Sequence, residues 1–243
     1  MIRRNKAIPV EGIKLLVFDL DGTLVDSRVD LANAINHMLR QYQRPELPVE
    51  VVAGYIGDGA SMLVRRALGD PQDENFFSQA YDAFVKHYRE HALDNTGPYP
   101  GMMDALRHIR HTANGRLQMA VLTNKPIRPS EIIVKGLGME EFFVRVYGGN
   151  SFETKKPDPL GALTLLRETS THPRQAVMIG DSQNDVLTAR NSGMWSIGVT
   201  YGFSPDSLKA SPPDVLIDSP RELAALLGYA PQHQSAVSPT LPE

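Results

Sequence analysis

Asp19 and Asp21 stand two residues apart in Asp19-Leu20-Asp21-Gly22-Thr23, directly after the largely apolar run Ile13–Phe18. In extended chain, side chains two apart point the same way, so both carboxylates emerge together at the end of a strand. Like charges this close are costly unless a cation neutralises them or one is protonated. The pair suggests a hard divalent ion that prefers oxygen ligands, Mg²⁺ first, with Mn²⁺ not distinguished at such a site. Gly22 permits a sharp turn after the pair. From average composition the five-residue pattern arises about once in 10⁵ positions; an exposed Asp-rich turn is the plain alternative.

Three further segments carry polar groups at strand ends or helix starts. Gly180-Asp181-Ser182-Gln183-Asn184-Asp185 follows the apolar run Ala176–Ile179. Asp181 can reach a metal shared with Asp19, and Asp185 lies one helical turn on, on the same side. Helix N-capping would use the same residue types. Leu122-Thr123-Asn124-Lys125 ends another run; a hydroxyl and the following backbone N–H groups can hold a phosphoryl oxygen, or make an ordinary turn. Lys155-Lys156-Pro157-Asp158 precedes a helix. A lysine there can neutralise a phosphate or the acidic cluster, or can be simply solvated.

These segments need a scaffold that brings strand ends together. The runs Ile13–Phe18, Met119–Thr123, Val144–Tyr147, Ala176–Ile179, Trp195–Val199 and Val215–Ile217 fit strands buried on both faces. Helical patterns over Met102–His111, Pro159–Leu166, Asn184–Asn191 and Arg221–Leu227 alternate with them, giving βαβ units and an open parallel α/β sheet. Such sheets bind ligands at the carboxyl edge of their strands. Val29 to Thr96 breaks the alternation. It reads as the helices Val29–Tyr42, Val49–Tyr55, Ala60–Leu68 and Glu74–Ala92, punctuated by Pro45, Pro48, Gly57, Gly59 and Pro71, and so as an inserted helical module with Asn95–Pro100 as its return hinge. The expected organisation is core over 1–27, helical cap over 28–97, core over 98–229, and a disordered tail over 230–243. Residues 1–12 read as a loose start.

Composition narrows the class. Hydrophobic residues make up 42% and charged residues 22%, ordinary globular usage. The net charge of −3 leaves no global basic field for nucleic acid or an anionic membrane. There is no cysteine, hence no disulfide, thiolate metal site or cysteine nucleophile. No apolar run approaches the ~18 residues of a membrane span. Glu11 and Lys14 interrupt the N-terminal stretch too early for a signal peptide. The expectation is a cytoplasmic protein, monomer or homodimer, with no nucleic-acid or membrane partner.

Taken together, Val17-Phe18-Asp19-Leu20-Asp21-Gly22-Thr23-Leu24, Thr123, Lys156-Pro157 and Gly180-Asp181-Ser182-x-x-Asp185 resemble the four motifs of the haloacid dehalogenase superfamily, in their usual order. The resemblance runs from about Ile13 to Gly228 and implies a Rossmann-like core with a helical cap. Asp21 argues against a dehalogenase, which lacks the second Asp, and for phosphoryl chemistry. Tyr55-Ile56-Gly57-Asp58-Gly59-Ala60 with Arg65-Arg66-Ala67-Leu68, Thr123-Asn124-Lys125-Pro126 and Val199-Thr200-Tyr201-Gly202 are similar to bacterial phosphoglycolate phosphatases. Lys155-Lys156-Pro157-Asp158 departs from that pattern, since relatives often carry an extra residue or two before Asp-Pro.

The resemblance implies a Mg²⁺-dependent phosphatase acting on a small phosphate monoester, 2-phosphoglycolate first. Asp19 would be the nucleophile and Asp21 the acid and base. Thr123 and Lys156 would stabilise the phosphoryl group. Asp19, Asp181 and the Asp21 backbone carbonyl would hold the metal. Asp185, with Ser182, would hold Lys156 or a metal-bound water. Asn124, Gly57, Gly59 and Arg66, with Arg65 second to it, would contact substrate. The alternatives are another small substrate (a sugar phosphate, nucleotide or pyrophosphate), a cap-bearing sugar phosphomutase, or a non-catalytic phospho-ligand binding module.

Overall fold

The computed structural model describes residues 2–227; the tail expected over 230–243 lies outside them. The strands are β1 (Arg3–Arg4), β2 (Leu15–Phe18), β3 (Val25–Asp26), β4 (Gly97–Pro98), β5 (Gln118–Leu122), β6 (Arg145–Tyr147), β7 (Ala176–Gly180), β8 (Trp195–Val199) and β9 (Val215–Ile217). The helices are α1 (Arg28–Gln41), α2 (Val49–Ala53), α3 (Ala60–Leu68), α4 (Glu74–His91), α5 (Met102–Ala113), α6 (Ile127–Gly136), α7 (Leu160–Glu168), α8 (Gln183–Ser192), α9 (Ser207–Ala210) and α10 (Pro220–Leu226).

The main sheet has the order β1-β9-β8-β7-β2-β5-β6, parallel apart from β1. Both faces of β2 are covered, as its unbroken apolar sequence requires. Leu16 and Phe18 pack on one side with Leu106 of α5 and Leu223 of α10. Leu15 and Val17 pack on the other with Leu165 of α7 and Ala189 of α8.

Several elements lie outside the sequence expectation, β3, β4 and α9 because they span only two to four residues, and two others for reasons of their own. Residues 1–12 are not uniformly loose: Arg3 and Arg4 pair antiparallel with Leu216 and Val215, and Arg3 and Lys6 meet Asp218 and Asp214 at 2.6 and 2.9 Å. A two-residue edge strand of arginines has no apolar periodicity to read. Helix α6 lies outside the sequence expectation because Pro126 and Pro129 look like breakers. They fall at its N-cap and within its first turn, where no intrahelical N–H is needed.

Helices α1 to α4 build their own core. Leu31, Ile35 and Leu39 of α1, at the helical spacing of four, pack with Leu63 and Val64 of α3 and Phe84 and Tyr88 of α4. The chain enters and leaves this module through the short antiparallel ribbon β3–β4. Asp30, buried in the first turn of α1, joins the two crossings. Its carboxylate accepts from Asn95 N, Asn95 Nδ2, Thr96 N and Thr96 Oγ1 at 2.6–3.0 Å.

Candidate active site

Phe18 of β2 lies opposite both Val121 of β5 and Ile179 of β7, so three strands finish at one level. From β2 the chain continues to β5 on one side and later reaches β7 on the other. This reversal of strand order opens a crevice at the carboxyl edge, the usual ligand position in open α/β sheets. Asp19, Thr123 and Asp181 follow these strands directly, and all three are buried.

Asp19, Asp181 and Asp185 each offer a carboxylate oxygen, and these oxygens lie within 4.8 Å of one another. Lys156 Nζ reaches Asp19 Oδ1 at 2.9 Å and Asp185 Oδ1 at 2.6 Å. Asp185 Oδ2 accepts from Ser182 N and Ser182 Oγ at 3.1 and 2.8 Å. Asp185 is thus both the capping partner of α8 and the anchor of Lys156. Asp181 Oδ2 accepts from the backbone N–H groups of Phe203 and Ser204 at 2.6 and 3.3 Å. Gly22 has φ +80°, and a Cβ there would stand 2.2 Å from Asp181 Oδ2. The turn and the close approach both require glycine.

Three buried carboxylates around one ammonium leave negative charge uncompensated. Burial, then the charge of Asp185, pushes Asp181 up to about 8. Burial pushes Asp19 up to about 6 despite the counter-effect of Lys156. Burial works against the Lys156 ammonium, yet Asp185 and Asp19 hold its pKa above the usual lysine value. Oxygen donors under this strain fit a hard divalent cation, which would remove the repulsion.

The Asp21 side chain stands apart from this carboxylate cluster. Its carboxylate accepts from Ser27 Oγ at 2.6 Å and from Lys125 Nζ at 3.1 and 3.0 Å. Lys125 also donates to Tyr88 Oη of α4 at 2.7 Å, and lies 4.6 Å from the centre of that ring. Burial opposes the Lys125 charge, but Asp21 and Tyr88 raise its pKa above the usual range. Lys125 adjoins Thr123-Asn124 in sequence, which is the signal that could have flagged it. Tyr88 reads only as one apolar position of α4.

A cavity of about 180 Å³ lies between core and helical module. Asp19, Asp21, Thr123 and Asn124 line its core side, and Gly57 and Gly59 line the other side. Thr123 Oγ1 accepts from Lys125 N at 3.2 Å, which leaves its hydroxyl proton free to donate. Asn124 Nδ2 donates to Gly57 O and Lys156 O at 2.9 and 3.0 Å. Its buried Oδ1 has no partner among the described residues. Gly59 has φ +89°, and a Cβ there would lie 2.9 Å from the Asn124 carbonyl. Asn184 Nδ2 reaches Asp58 Oδ1 at 2.8 Å and Lys155 donates to the Asp58 carbonyl, so the 57–59 loop is fastened to the core.

Arg66 is not brought to the cavity. Its guanidinium donates to the Asp58 carboxylate and to the Tyr55 carbonyl, so it shapes the loop from behind. Arg65 pairs with Glu74 at 2.8 Å and is likewise absent from the lining. The arginines that do line the cavity are Arg89 of α4 and Arg128 of α6, neither marked by any local sequence pattern.

Comparison with known proteins agrees with this arrangement. Residues 16–199 match the family model described as haloacid dehalogenase-like hydrolase. The chain is 37% identical over 222 residues to the phosphoglycolate phosphatase of Chromobacterium violaceum, covering 90% of this chain and 98% of that one. It is 37% identical over 227 residues to the phosphoglycolate phosphatase of Photobacterium profundum, with 90% and 98% covered. Among solved structures, a predicted phosphoglycolate phosphatase from Haemophilus somnus superposes with a TM-score of 0.82 at 31% identity, covering 88% of this chain and 98% of that one. With strand-end carboxylates, lysine and capping module in one crevice, the chain belongs to the haloacid dehalogenase-like hydrolase family, as a phosphatase-like member of it.

Proposed function

We propose that this protein hydrolyses 2-phosphoglycolate to glycolate and phosphate, through an aspartyl-phosphate on Asp19. The observation that carries the reading is the setting of Asp19: it lines the cavity, its Oδ1 is held by Leu20 N and Lys156, and its Oδ2 has no partner among the described residues. Oδ2 is then the oxygen free to attack phosphorus. As the new P–O bond forms, the ester P–O bond breaks and the leaving alkoxide takes a proton from Asp21. In the second half Asp21 accepts a proton from water, which attacks phosphorus and releases Asp19. Splitting one displacement into two easier steps is the gain of covalent catalysis.

The remaining residues orient and stabilise. Lys125 and Ser27 fix the Asp21 carboxylate toward the cavity. Thr123 Oγ1 donates to a phosphoryl oxygen, and Lys156 supplies positive charge beside the nucleophile. Asp19, Asp181 and the Asp21 backbone carbonyl would hold Mg²⁺, with Asp185 beside them, and the bound ion would offset the repulsion between carboxylate and phosphate. The helical module over 28–97 acts as a cap: its fastened 57–59 loop and Tyr88 cover the site and exclude water. The reading places the protein in the cytoplasm, acting on a small diffusible ester.

The test is phosphate release from a panel of small monoesters, with Mg²⁺ and with chelator. The expected result is that phosphoglycolate ranks among the best substrates, that chelator abolishes turnover, and that Asp19→Asn is inactive with an unchanged circular dichroism spectrum. Full activity of Asp19→Asn would end the covalent mechanism. A poor rank for phosphoglycolate would end the substrate assignment.

A further inference from the structure

A carboxylate-bearing phosphoester needs a cation at the far end of the cavity from Asp19. The cations near the site can be taken in turn. Lys156 is committed to Asp19 and Asp185, and Lys125 to Asp21 and Tyr88. Lys155 is spent on the Asp58 carbonyl and Arg66 on the Asp58 carboxylate, and neither lines the cavity. Arg89 and Arg128 remain. Both line the cavity, and neither has an ion pair, hydrogen bond or ring contact among the described residues. They stand on different bodies, Arg89 in the last turn of α4 on the cap side and Arg128 in the first turn of α6 on the core side.

The placement of Arg128 is informative. A cation in the first turn of a helix works against the helix dipole, and α6 has no acidic residue in that turn to compensate. An anion seated there would satisfy both the guanidinium and the helix end. Much of the cavity lining is apolar, with Leu63, Phe84 and Val85 from the cap and Ile132 from α6. A ligand suited to this cavity has two charged ends and a short middle without charge. A volume of about 180 Å³ suits a small molecule of that form.

We propose that Arg89 and Arg128 form a two-arginine clamp, one jaw on the cap and one on the core, that binds the substrate's distal carboxylate and sets specificity for carboxylated phosphoesters. Guanidinium suits carboxylate geometry because its N–H groups donate in pairs. The jaws lie on opposite bodies, so an anionic substrate also draws the cap onto the core. The inference rests on the phosphoglycolate reading for the identity of the anion, but the clamp itself requires only a carboxylated ester.

The test is steady-state kinetics of Arg89→Gln, Arg128→Gln and the double variant on 2-phosphoglycolate and on its carboxylate-free analogue, 2-hydroxyethyl phosphate. A charge-assisted hydrogen bond contributes enough that each single variant should lose roughly 10-fold or more in kcat/KM on phosphoglycolate, mainly through KM. Hydroxyethyl phosphate should change less than about twofold. Arg89→Lys should recover part of the loss. Equal losses on both esters, or none on either, would overturn the clamp and leave phosphoglycolate hydrolysis standing. A wild-type panel including 3-phosphoglycerate and phospholactate separates the two ideas. If another carboxylated ester is preferred and the variants erase that preference, the clamp stands and phosphoglycolate falls. If the wild type does not favour carboxylated esters over those without a carboxylate, the clamp is overturned.

Discussion

Asp30→Ala removes a single buried carboxylate from the base of the cap, and the structure specifies what it leaves behind. Two donors lose their acceptor in a buried place, Thr96 N and Thr96 Oγ1, and Asn95 N loses its acceptor in a half-buried one. Asn95 Nδ2 loses one as well. Each buried donor left unpaired costs about 1–3 kcal/mol, less what water or relaxation recovers. With two donors buried and two half-buried, the expected destabilisation is about 3–5 kcal/mol. For a chain of this size 1 kcal/mol moves Tm by about 2–4 °C, so Tm should fall by roughly 10 °C. Asp30→Asn tests the cause: it keeps the shape but turns an amide toward N–H donors, and should lose most of the same stability. Thermal unfolding by circular dichroism reads the total. Amide hydrogen exchange at Asn95 and Thr96 reads the local effect, because these are the protons Asp30 holds. A fall of under 2 °C, or unchanged protection at those two amides, would refute the view that Asp30 joins the two cap crossings.

Two further predictions concern the site. Asp181 and Asp19, at about 8 and about 6, both lie above the unfolded value of 3.8, so the folded metal-free protein holds protons that the unfolded chain has lost. Its stability is greatest below about pH 4 for these groups and declines as pH rises through about 6 and then about 8. Mg²⁺ binds only the deprotonated set, so its apparent affinity should rise ~10-fold per pH unit between pH 6 and 8, and its gain in Tm should be larger at pH 8. Calorimetry in two buffers of different ionisation enthalpy counts the released protons, and an affinity flat across this window would contradict the assignment. Lys125→Met leaves Asp21 with Ser27 as its remaining partner and should lower kcat on any ester by about 10–100-fold with KM little changed, part of the ~10²–10⁴ that acid–base catalysis contributes; rapid-quench phosphate release checks it, and a kcat within twofold of wild type would remove Lys125 from the positioning of Asp21.

What was legible in the sequence was whatever depends on local periodicity. Unbroken apolar runs mark strands covered on both faces, and parallel strands joined by right-handed crossovers must finish at one edge. Asp19, Thr123 and Asp181 therefore converge for a reason visible in the chain itself. The cap helices were legible for the same reason, since Ala32, Ile35, Leu39 and Tyr42 repeat at helical spacing. Tertiary structure alone decided where long polar side chains end. Arg66 and Arg89 both sit on cap helices with ordinary surroundings; the docking of the 57–59 loop ties one to Asp58 and the course of α4 turns the other to the cavity. Lys125 meets Asp21 and Tyr88 across about 100 and 40 residues of chain, and Asp30 meets Thr96 across about 65. Such pairings depend on how one body of the protein lies against another, and a periodic pattern carries the face of each element but not that relative placement.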